Sequence, residues 1–176
     1  MRPGKQAGHN YAQVPSVNIP RSSFNRSSGL KSTMDADFII PIFVDEIVPG
    51  DTFNMNATFF ARLSTPLHPI MDNMYCETFW FFVPYRLLWD NWEKFHGQKD
   101  NPADTTEYTI PYLSSNTAFN MFGANAIFDY MGLPFVTSID MTEVSALPFR
   151  AYNRIYNEWF RNQNLQTALA EEMHNG

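Results

Sequence analysis

Apolar and polar positions alternate most clearly between residues 53 and 63. Phe53, Met55, Ala57, Phe59, Ala61 and Leu63 fall on one side of an extended chain, and Asn54, Asn56, Thr58, Phe60 and Arg62 on the other. A period of two is that of a strand with one buried face, so the pattern predicts a strand over about 52–63. The preceding FIIPIFVDEIV, residues 38–48, is rich in β-branched and aromatic residues and predicts a second strand, with Pro41 marking an edge or a bend. Pro49-Gly50-Asp51 between them is a turn signal, and the three pieces together suggest an antiparallel hairpin. After the proline-punctuated loop TPLHPIMDN, the run MYCETFWFFV predicts a strand over about 74–83, buried on both faces where five apolar residues stand together.

From Pro84 onward the period changes to that of helices. YRLLWDNWEKF places Leu88, Trp92 and Phe95 at helical spacing and is closed by Gly97, which predicts a short amphipathic helix over about 85–95. A two-turn helix is expected over about 124–131, stopped by Gly132 and Pro134. A longer one is expected over about 146–162, with Ser145 as N-cap, Pro148 in the first turn, and Tyr152, Ile155, Tyr156, Trp159 and Phe160 on one face. EYTIPYL at 107–113 reads as one more short strand. The result is a mainly β chain with helical insertions, in which hairpins argue against a parallel α/β fold. About four strands are too few to close a β-sandwich, so the sequence is expected to be a piece of a longer polypeptide.

Charge divides the chain differently. The first acidic residue is Asp35, and before it Arg2, Lys5, Arg21, Arg26 and Lys31 give +5. The remainder carries seven basic against eighteen acidic groups, −11, within a net charge of −6. Residues 1–34, rich in Ser, Asn, Gly and Pro, are therefore expected to be a basic, flexible N-terminal arm, and residues 35–176 the folded body. Such an arm could neutralise nucleic-acid phosphates without reading sequence, although five charges over that length also suit a solvated tail.

Composition points to packing rather than to chemistry. Sixteen Phe, eight Tyr and four Trp supply large areas for a core or a subunit interface. One cysteine, Cys76, excludes an intrachain disulfide and any zinc site built on several thiolates, and a buried structural thiol is its plainer role. His9, His68, His96 and His174 occur singly. Glu93 and His96 form one Glu-x-x-His pair where carboxylate di-iron bundles need two, so a solvated helix face explains them better. The nucleophile elbow, the phosphate loop and the dinucleotide fingerprint are all missing, and neither an enzymatic activity nor a cofactor nor a small-molecule substrate is expected. No run of about 18 apolar residues suggests a membrane span. Aromatics beside a basic arm leave open a single-stranded nucleic-acid-binding module, but the body's acidity opposes phosphate.

Three phrases carry a resemblance: IPIFVDEIVPGDTFNMNATFFARLSTPLHPIMDNMY at 40–75, FWFFVPYRLLWDNWEKFHG at 79–97 and LPFRAYNRIYNEWFRNQNLQ at 147–166, with IFDYMGLP at 127–134 between the last two. Together they closely resemble the N-terminal portion of the major capsid protein of gokushoviruses, bacteriophages of the microvirus family (Microviridae). The resemblance implies a viral capsid jelly roll, an antiparallel β-sandwich with helical insertions, here incomplete. It also implies a homo-oligomeric T=1 icosahedral shell around circular single-stranded DNA, located in the virion and assembled in the bacterial cytoplasm. Under it the hairpin of 38–63 supplies early strands. Trp89, Trp92, Tyr152, Tyr156, Trp159 and Phe160 would pack insertion helices against the barrel or adjacent subunits, and Arg2, Lys5, Arg21, Arg26 and Lys31 would meet genome phosphates. Strand edges left without partners would make the chain prone to aggregate.

Overall fold

The computed structural model describes residues 18–105, 107–113, 126–133, 144–171 and 173. The chain divides after Lys31 into two units, three residues before the boundary expected from charge. In the first, residues 18–31 are exposed and without regular structure, and carry one Asx turn in which the Ser27 amide donates to Asn25 Oδ1 at 3.0 Å.

In the second unit, all the helical structure among the described residues lies beyond Pro84. A 3₁₀ turn spans Tyr85–Leu87, followed by α1 (Trp92–Phe95), α2 (Ile127–Tyr130) and α3 (Leu147–Ile155), which runs on as a π turn, Tyr156–Phe160. The single helix expected over 85–95 is thus two short pieces. The Asp90 amide explains the break, because it donates to Met173 O at 3.2 Å and leaves the helical ladder. Beyond α1 the chain reverses at Gly97, whose φ of +99° is open to glycine at little cost. The two-turn helix expected over 124–131 is the single turn α2, residues 124 and 125 lying outside the described residues. The third helix starts one residue later than expected: Ala146 is the cap position, while Ser145 Oγ still accepts from the Leu147 amide at 3.3 Å. Its far end, Arg161, has turned to extended backbone.

The core is small and lies where these pieces meet. Leu88, Trp89 and Leu147 are buried together, with Val83, Tyr85, Trp92, Tyr108 and Ala151 packed around them. Phe128 of α2 packs against Phe149 of α3 with the rings tilted and their centroids 4.7 Å apart. Arg150 reaches across from α3 and donates to Leu88 O at 3.1 Å, satisfying a carbonyl in the first turn of this cluster.

Among the described residues the one β pairing is an antiparallel bridge between Tyr112 and Ser145, where Leu113 N donates to Val144 O and Ala146 N to Pro111 O. It seats the expected 107–113 strand beside the start of α3. The segments expected as strands over 38–48, 52–63 and 74–83 carry no ladder. Alternation specifies a face to be covered, and a strand exists only when a neighbour supplies the matching amides and carbonyls. Here Phe53, Met55, Phe59 and Leu63, the apolar face of the clearest alternation, are all exposed.

The turn between the first two segments does form. The Asp51 amide donates to Val48 O at 3.1 Å, Asp51 Oδ2 accepts from the Val48 amide, and Gly50 has φ +88° behind Pro49. Pro followed by a residue with positive φ is the signature of a type II turn. A Cβ at Gly50 would meet nothing within 4 Å, so the cost of substitution is conformational alone. Gly50→Val is expected to cost about 1–3 kcal/mol, read as a lower urea midpoint, whereas Gly29→Val, at a glycine without positive φ, is expected to cost almost nothing.

Candidate assembly interface

Three tyrosines fasten the start of the expected hairpin and the residues just before it onto the helical part of the second unit. Tyr130 donates to Thr33 O at 3.0 Å, Tyr152 to Ile39 O at 2.8 Å, and Tyr85 to the Glu46 carboxylate. Burial raises the Tyr85 phenol well above the usual tyrosine value, with the bond and the charge of Glu46 adding to it. Burial, then neighbouring Tyr156, raises Tyr152 as well. Both phenols ionise at 10.0 when unfolded and higher when folded, so the folded state holds their protons more tightly. Their contribution is complete below pH 10 and is lost as pH rises towards the folded values. Urea midpoints are expected to fall steeply above about pH 10 in the natural chain and less steeply in the Tyr85→Phe, Tyr152→Phe double variant.

Past these tethers the surface is apolar. Phe60, Leu67 and Met71 are more than nine-tenths exposed, and Phe38, Tyr75 and Phe82 lie nearly as open. A second apolar zone forms where residues 79–81 meet the end of the third helix. Phe160 stands edge-on to Phe79 at 5.4 Å and Phe81 at 6.1 Å, and Trp159, 72% exposed, lies 5.5 Å from Phe81. Single exposed apolar side chains are ordinary on proteins, but runs of large ones mark surfaces that meet another polypeptide.

The six aromatics proposed from sequence for packing divide between inside and outside. Trp89 has no exposed surface, and Trp92 and Tyr152 are half-buried, so these three serve contacts within the chain. Tyr156 is half-buried and donates to Gln166 Oε1. Trp159 and Phe160 belong to the open aromatic zone. Of the basic residues of the arm, Arg21, Arg26 and Lys31 are exposed, and Arg2 and Lys5 lie outside the described residues. His96 places its ring 4.3 Å from that of Trp92, and no group of three metal-binding side chains gathers among the described residues. Cys76 is exposed rather than buried, which corrects the structural-thiol expectation: its segment has no sheet to enter.

Sequence reasoning passed over Asn157. It stands amid aromatic neighbours and is buried, 6% exposed. Its amide bonds Leu169 through both backbone groups, with Nδ2 to O and Oδ1 from N each at 2.9 Å. The available signal was Asn153, four residues earlier on the same helix face, which donates to Ala170 O at 3.1 Å.

Residues 12–176 match the family described as "Capsid protein (F protein)". The chain is 52% identical over 162 residues to the capsid protein VP1 of Bdellovibrio phage phiMH2K, covering 92% of this chain and 30% of that protein. It is 46% identical over 165 residues to VP1 of Chlamydia phage 1 (90% and 27%), and 32% identical over 164 residues to VP1 of Spiroplasma virus 4 (92% and 29%). The chain spans less than a third of the length of these relatives. An apolar, outward-facing surface suits the structural role those names carry, and the chain belongs to the capsid protein (F protein) family.

Proposed function

We propose that this chain is the N-terminal portion of a microvirus major capsid protein, a jelly roll whose copies build a T=1 icosahedral shell around circular single-stranded DNA in the host cytoplasm. The observation that carries this reading is the open apolar surface of residues 38–83 in a chain that belongs to a capsid family. In a jelly roll the segments 38–48, 52–63 and 74–83 become strands once neighbours cover their edges and faces. Those neighbours would come from the part of the capsid polypeptide that the match leaves uncovered, and from adjacent copies.

The arm takes the genome side. Exposed Arg21, Arg26 and Lys31 stand in a stretch without acidic residues, and Arg2 and Lys5 extend it. Contacts of this kind are sequence-independent and weaken steeply with salt. A protein lacking residues 1–31 that packages DNA normally would remove the arm from this role.

The deciding experiment supplies this chain in trans with the uncovered part of the phiMH2K VP1 and tracks the mixture by sedimentation and negative-stain microscopy. Shells from the mixture, with only small or irregular aggregates from either part alone, are the expected result. A soluble monomer that stays a monomer in the mixture would end the capsid reading and return attention to single-stranded DNA binding by the arm.

A further inference from the structure

The π turn Tyr156–Phe160 is closed by the Arg161 amide, which donates to Tyr156 O at 2.8 Å, five residues back. Such turns hold one residue more than the α-helix allows and persist where something else holds the backbone. Here the holder is visible. The residue that opens the turn, Tyr156, donates to Gln166 Oε1 at 3.0 Å, and the residue that closes it, Arg161, donates from Nη1 to Gln166 O at 3.0 Å. Between them Asn157 bonds both backbone groups of Leu169 and donates to Glu171 Oε1 at 2.6 Å. One helical turn earlier, Arg154 pairs with Glu171 Oε2 at 3.2 Å.

Residues 166–171 thus lie along the helix as a strap held chiefly by polar groups. Leu165 and Leu169 remain 82% and 40% exposed, so little apolar area opposes release. The turn carries a desolvation cost in the same place, because Arg161 Nε is buried with no hydrogen-bond partner among the described residues. An undocked strap would take the Leu169 and Glu171 partners from the Asn157 amide, and with them the contacts that hold the turn in its wide form.

We propose that the strap and the π turn form one two-state element. When 166–171 is docked, Asn157 holds the turn in its wide form, and when the strap leaves, the turn rewinds as α-helix. Removing the extra residue rotates the later residues about the helix axis by about 100°. Trp159 and Phe160 then leave their present positions on Phe79 and Phe81, so the strap sets the geometry of the open aromatic zone. This inference rests on the contacts of the chain itself and stands apart from the capsid reading.

Nuclear magnetic resonance of the full chain tests it, comparing the natural protein with Asn157→Leu and with Leu169→Pro, which acts from the strap side and away from the core. The expected result is Leu169 amide exchange faster by about tenfold or more in Asn157→Leu and, in both variants, loss of the Tyr156–Gln166 contact and of the Phe79–Phe160 ring contact with retention of the Trp89–Leu147 contact. Release of the strap with the Phe79–Phe160 contact and the π turn intact would overturn the coupling. A strap that keeps the Tyr156–Gln166 contact in both variants would overturn the role of Asn157. Should Asn157→Leu lose the Trp89–Leu147 contact through unfolding, Leu169→Pro decides between the same outcomes.

Discussion

Trp89→Ala is expected to destabilise the second unit by about 3–5 kcal/mol, the usual cost of truncating a large buried aromatic. Trp89 is the largest fully buried side chain among the described residues, and its ring is framed by Trp92 at 6.3 Å and Phe95 at 5.5 Å. Its ring sits at the centre of the cluster, with Leu88 and Leu147 buried beside it and Val83, Tyr85, Trp92, Tyr108 and Ala151 packed around, so its loss takes contacts from all of them. Small domains are stable by about 5–15 kcal/mol in all, so this one change removes a large part of the total. Urea unfolding monitored by circular dichroism should show the transition shifted far to low urea, or lost. Trp159→Ala, at a ring 72% exposed, is the control and should move the midpoint little. A Trp89→Ala chain within about 1 kcal/mol of the natural protein would show that the cluster does not hold this unit together.

How much of the fold was legible in the sequence depends on how local each signal is. The Pro49-Gly50-Asp51 turn was readable because its bonds join residues three apart, and α3 because its apolar spacing and Pro148 act within a few turns. The break at Asp90 was not readable, since its cause is the carbonyl of Met173, more than eighty residues away. Asn157 was hidden for the same reason: its partners, Leu169 and Glu171, lie beyond a loop, and the spacing of Asn153 and Asn157 marks a polar stripe on the helix without naming what covers it. The strands illustrate a different limit. Alternation over 53–63 records that one face is meant to be covered, but it cannot say by what, and no ladder forms among the described residues. The separation of inner from outer aromatics was also out of reach, because Trp89 and Trp159 obey the same helical spacing rules and differ only in what packs against them.

Phe60→Asp and Leu67→Asp are expected to leave the isolated chain's stability within about 0.5 kcal/mol of the natural value, because both side chains are already in water, 93% and 99% exposed. Assembly should respond quite differently. In the alternation of 53–63, Phe60 is the apolar residue on the otherwise polar side, so covering the face of Phe53, Met55, Phe59 and Leu63 would leave it still pointing outward. With Leu67 and Met71 as open as it is, Phe60 belongs to a run of large exposed apolar side chains of the kind that meets another polypeptide. Burying a carboxylate in such a contact costs at least about 2 kcal/mol at a well-packed position, roughly 30-fold in an association constant, and a closed shell repeats the loss at every copy. Mixed with the uncovered part of VP1, both variants should therefore sediment as small species under conditions where the natural chain gives shells. Normal shells from both variants would mean that residues 60 and 67 remain in solvent after assembly, and the interface would then have to be sought in the aromatic zone around Trp159 and Phe79.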